Sequence, residues 1–139
     1  MKRIRLLVLL GVVVVALPLG AVFAGNAGAA GSTTTNSVSI RQYADFNLKG
    51  VQLDVGLNVR CTGGTGTATV HVTQTPPEST HPVSGFGIQD VVCDGQTHSV
   101  GVTVVGTMYD AGRAYATAEV ETLSGGTANA ARWITIQVV

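Results

Sequence analysis

Few residues in this 139-residue chain have the types and spacing that chemistry needs. There are two cysteines, Cys61 and Cys93, and three histidines, His71, His81 and His98. No two histidines stand at i, i+2 or i+4, and neither cysteine belongs to a C-x-x-C pair, so no local metal motif exists. Glu119 and Glu121 alternate along one segment, which puts both on one strand face with their Cβ atoms roughly 7 Å apart. Carboxylates at such a separation serve glycoside hydrolysis, but only in a cleft that raises one pKa; a solvated strand face offers no cleft. Ser84 in Val83-Ser84-Gly85 and Ser124 in Leu123-Ser124-Gly125 do not match the G-x-S-x-G nucleophile turn. The glycines of Thr62-Gly63-Gly64-Thr65-Gly66 lack the lysine and helix start of a phosphate cradle, and read as a tight turn between strands. The expectation is a chain with no catalytic residue, metal or cofactor. His98 set against Asp90 or Asp94 in a cleft would argue otherwise.

The aromatic residues suggest binding instead. Tyr115 and Trp133 fall on the phase opposite their segments' apolar rows, so they are candidates for an exposed surface site. Two alternatives are that the rings close an end of the core, or that Tyr115 forms a tyrosine corner, although its phase is off by one.

Positioning these residues requires knowing what the chain is. Residues 1–29 carry Lys2, Arg3 and Arg5, no acid, and an apolar run from Leu6 to about Ala24, followed by small residues. This is the pattern of an export signal, with cleavage expected after Ala29 or Ala24. The run is also near the lower limit for a spanning anchor, but Gly11, Pro18 and Gly20 interrupt it. The signal is thus the one segment expected to touch a membrane. Residues 30–37 read as a flexible lead-in and 38–139 as the domain. Without Lys2, Arg3 and Arg5 the chain keeps 5 of its 8 basic residues against 8 acidic, a net of −3. With no basic cluster, that balance argues against nucleic acid as a partner. In an oxidising compartment, Cys61 and Cys93 are expected to form one disulfide.

The body of the chain alternates. Val51, Leu53, Val55, Leu57, Val59 and Cys61 are apolar at every second position, which puts Cys61 on the core face of a strand. Ala68, Val70 and Val72 continue in a second strand, ended by Pro76 and Pro77. A less regular strand follows from about Gly85 to Cys93, where adjacent Val91 and Val92 suggest a bulge, then an Asp94-Gly95 turn. Further strands hold Val100, Val102 and Val104; Ala114 to Glu121; and Ile134, Ile136 and Val138. With an opening strand at Val38 to Phe46 the count is about seven. The expected fold is all-β, an immunoglobulin-like antiparallel β-sandwich, with a small barrel as the alternative.

Some segments resemble a known family. They are Arg60-Cys61-Thr62-Gly63-Gly64-Thr65-Gly66 with Val72-Thr73-Gln74, Val92-Cys93-Asp94-Gly95-Gln96-Thr97-His98, and the Ala111-Gly112 turn into Ala118-Glu119-Val120. Together they are similar to a family of small secreted actinobacterial proteins of unknown function. The likeness covers most of Val38 to Glu121 and is poor beyond it. It implies secretion and a disulfide-bridged β-domain, and brings no activity. Secreted apoproteins of enediyne chromophores are sandwiches of similar size, but they use two short-loop disulfides, unlike the one pair here.

The reading is a secreted, non-catalytic module, extracellular or attached to the cell wall, acting on a wall or extracellular partner. The alternative is a small-molecule or peptide binder such as a protease inhibitor, for which the segment from Thr75 to Pro82 is the candidate loop.

Overall fold

The structure, a computed structural model, describes residues 35–47 and 51–139. The export signal expected at 1–29 and most of the lead-in lie outside these residues. The described residues form five strands and no helix: β1 (Ser37–Asn47), β2 (Gln52–Gln74), β3 (Val83–Gly106), β4 (Gly112–Thr122) and β5 (Thr127–Val138). β2 pairs antiparallel with β1 through Gln52–Arg60 and with β4 through Gly66–Thr73. β4 pairs antiparallel with β5, and β5 returns to β1 as a parallel pair, Tyr43↔Thr135 to Phe46↔Val138. These four strands close a ring. β3 lies outside it, paired with β2 almost end to end.

The count of about seven is therefore corrected to five, and the ladder is not antiparallel throughout. The difference lies in the glycines. Gly63 and Gly64 (φ 118° and 90°) and Gly95 (φ 85°) do not end strands. They bend two long ones, and pairing continues past them through Thr62↔Asp94 and Gly64↔Cys93. The register shifts between Arg60 and Thr62, and again between Thr62 and Gly64. The inward face moves with it. Leu53, Val55, Leu57, Val59 and Cys61 are buried before the bend, and Ala68, Val70 and Val72 after it. The buried phase has passed from odd to even positions, which a period-two strand achieves only through an irregularity. The bulge expected at Val91 and Val92 is absent: Gly66↔Val91 and Thr65↔Val92 are in register, and Val92 faces outward.

The disulfide forms. Cys61 and Cys93, with Cα atoms 4.5 Å apart, tie β2 to β3 at the bend, and both are buried. The core around them is small and aliphatic, dominated by valine and alanine from all five strands.

Tyr109 closes the other end of β3. It is buried, and its hydroxyl donates to the Val72 carbonyl at 3.3 Å. Its ring lies where side chains on Gly85 and Gly106 would have to be. Burial pushes its phenol up to about 12. The tyrosine whose hydroxyl returns to the backbone is thus Tyr109, while Tyr115 points outward. At the same end, buried Gln74 donates to the carbonyls of Asp110 and Arg113 and accepts from the Asp110 amide.

Candidate functional site

The outward residues of β3, β2, β4 and β5 form cross-strand rows. One runs Ser84–Thr73–Tyr115–Trp133, the next Phe86–His71–Thr117–Ala131, and the next Ile88–Thr69–Glu119–Asn129. The backbone of β4 is laddered on both edges here, so the middle of this face offers side chains only.

Tyr115 and Trp133, the two candidates from the sequence, are direct cross-strand partners. Their rings meet edge to face, centroids 5.4 Å apart at 64°. The Arg113 guanidinium stands over the indole at 4.8 Å. Tyr115 is 40% and Trp133 51% exposed, so the cluster is presented rather than folded away. On an open strand face, edge-to-face packing and a cation–π contact hold the rings in place without burying them.

One row along, the β4 and β5 side chains, Thr117 and Ala131, are small. A concavity of about 450 Å³ opens there, lined by Thr69, His71, Thr117, Glu119, Asn129 and Ala131, together with Ala118 and Ala130. That volume falls within the range of small-molecule sites. His71 stacks on exposed Phe86, centroids 6.0 Å apart, at the β3 side. A second depression of about 330 Å³ lies further along and holds Asp90, Thr67 and Glu121. The face therefore runs from an arginine–aromatic end to an acidic end.

His71, Phe86 and Asn129 as site members were not anticipated. Each sits on the outward phase of its strand, which was legible. Their meeting depends on the register of β2 with β3 and β4, and of β4 with β5, which no local pattern encodes.

The other candidates separate. Glu119 lines the first concavity and Glu121 the second. Ser124 shares a hydrogen bond with Thr122 at 3.0 Å. His81 bonds the Thr80 hydroxyl at 2.8 Å. His98 does reach Asp94, Nε2 to Oδ1 at 2.8 Å, but the pair is exposed on a bend rather than enclosed in a cleft. The Gln96 amide and then the His98 ring hold the Asp94 carboxyl below its ordinary range. Among the described residues, no three His, Cys, Asp or Glu side chains are grouped to hold a metal ion.

No protein-family model matches the sequence, and no curated protein matches it. What stands is an all-β, disulfide-bridged, ring-closed domain with an aromatic cluster beside a concavity on one sheet face.

Proposed function

We propose that the chain is an exported, non-catalytic binding module that engages an extracellular or cell-wall partner through the outward face of β2, β4 and β5. The observation that carries this reading is the exposed Tyr115–Trp133 pair under Arg113, beside the concavity lined by His71, Thr117 and Asn129. Exposed aromatic rings held by neighbours and bordering a depression are the anchors of binding surfaces. The Cys61–Cys93 disulfide is compatible with an extracellular location. Kinship with the secreted family rests on the Cys61 and Cys93 sequence contexts.

Affinity capture on wall and culture-medium fractions tests the reading, with the Trp133→Ala protein run in parallel. A component retained by the native protein and lost by the variant supports it; equal retention by both overturns it. Sequencing the N-terminus of secreted material tests export, with a start at Ala30 or Gly25 expected.

A second reading is supported by the loop joining β2 to β3. Asp110 accepts the Thr80 amide at 3.0 Å, the Ser79 hydroxyl donates to the His81 carbonyl at 2.5 Å, and Ser79 is buried. A loop braced in this way suits insertion into a protease cleft. Inhibition of a serine-protease panel, abolished by Asp110→Ala, is its expected signature; inhibition unaffected by that change counts against the loop.

A further inference from the structure

We infer that the concavity between the Tyr115–Trp133 pair and Glu119 is a binding site for an uncharged glycan, taken as a short run of pyranose rings. This rests on the binding-module reading and names its ligand class.

Charge narrows the choice first. Glu119 lines the concavity, and Glu121 and Asp90 lie in the next depression on the same face. A polyanion would meet these carboxylates. An extended cation would meet Arg113 at the aromatic end. Between the ends, Thr69, His71, Thr117, Asn129 and Ala131 carry no fixed charge. A ligand spanning both ends without charge conflict carries no run of either sign, and an uncharged one satisfies this along its whole length.

Hydrogen-bonding capacity narrows it further. A peptide that binds by strand addition needs an open backbone edge; β4 is paired on both edges here, and among the described residues β5 is unpaired at Thr127–Ile134 only on its edge away from β4, so an added strand would lie beside the concavity rather than in it. The groups on offer are side-chain hydroxyls, a carboxamide, an imidazole and a carboxylate. Hydroxyls, carboxamides and neutral imidazoles each donate and accept, and the carboxylate accepts. Such a mixture matches a ligand whose own groups are hydroxyls. Pyranoses also carry faces of C–H groups that stack on aromatic rings, and Tyr115 and Trp133 stand exposed one row from the floor.

Size agrees. From Tyr115 to Glu119 the strand rises about 13 Å, at about 3.3 Å per residue. The concavity of about 450 Å³ lies along the Thr117–Glu119 part of that path. More than one ring fits, so an oligosaccharide is expected to bind better than a monosaccharide.

Trp133 is the sole tryptophan of the chain, so its emission reports on this site alone. The exported protein is titrated with cellohexaose, chitohexaose and maltohexaose, with oligogalacturonate and hexalysine as charged controls. The expected result is a saturable change in Trp133 emission with at least one neutral hexaose and none with either control. Ala131→Arg, which fills the floor from an exposed position and keeps Trp133, should abolish that change while leaving the thermal midpoint unaltered. Trp133→Ala, followed by calorimetry, should weaken the same sugar by at least about tenfold. A response only to a charged probe, or to no probe, overturns the glycan assignment. Capture of a protease-sensitive wall component through Trp133, with no sugar response, overturns the glycan and leaves the binding face standing. Loss of both sugar response and capture overturns both.

Discussion

A Cβ placed on Gly87 would stand 2.2 Å from the carbonyl oxygen of Thr103, a residue of the same strand. Gly85 stands likewise against the Val105 carbonyl, at 2.3 Å. β3 bends so far at Asp94–His98 that its first half returns onto the backbone of its second. Only glycine permits that approach, and Tyr109 fills what remains beside Gly85 and Gly106.

Gly87→Ala should therefore destabilise the domain by about 3 kcal/mol, because the obstacle is backbone and cannot rotate away. Gly101→Ala is the control: nothing lies within 4 Å of its added methyl. A urea midpoint that falls sharply for the first and holds for the second is the expected outcome. Equal midpoints would contradict the close approach.

The disulfide spans a sequence separation of 32. Replacing both cysteines by alanine should cost roughly 3–4 kcal/mol through the freedom regained by the unfolded chain. Intact mass of the native protein should rise by two protons on reduction, and the urea midpoint of the double variant should fall. A double variant as stable as the parent would show that the bend holds without its covalent tie.

Tyr109 makes stability sensitive to alkali. Its phenol is raised from 10.0 to about 12 in the fold, so the native state holds the proton where the unfolded state releases it. The contribution is complete below pH 10 and is lost as the pH rises toward 12. Phenolate absorbance should include a component appearing near pH 12 that is missing in Tyr109→Phe. That variant should also lose the hydrogen bond to Val72, about 1 kcal/mol. A native protein with no late-titrating phenol would contradict the burial of Tyr109.

The aromatic pair should couple energetically. A double-mutant cycle of Tyr115→Ala and Trp133→Ala is expected to give about 0.5–1.5 kcal/mol, and one of Arg113→Ala with Trp133→Ala about 0.5–1 kcal/mol. Additive losses in both cycles would mean that the rings do not hold each other in solution.

Much of the core could be read from alternation. Leu53 to Cys61, Ala68 to Val72, and Val102 with Val104 are buried as their phase dictates. The outward placement of Tyr115 and Trp133 followed from the same rule. Continuity of the strands did not, because a glycine at positive φ looks the same in sequence whether it ends a hairpin or bends a strand. The shift of the buried face from Cys61 to Ala68 was the available sign of a bend. The parallel pairing of β1 with β5, and the meeting of His71 with Thr117 and Phe86, are set by contacts between distant segments, which local patterns do not carry.

The central claim is that the face bearing Tyr115 and Trp133 is where the protein meets its ligand. Amide chemical-shift mapping of the labelled protein, titrated with solubilised wall polymer, tests it most directly. The account predicts shifts concentrated at Thr69–Thr73 of β2, Arg113–Glu119 of β4 and Asn129–Thr135 of β5, with the Trp133 indole N–H among the largest. Shifts confined to the opposite face around Asp54 and Thr103, or no shifts at saturating polymer, would contradict it.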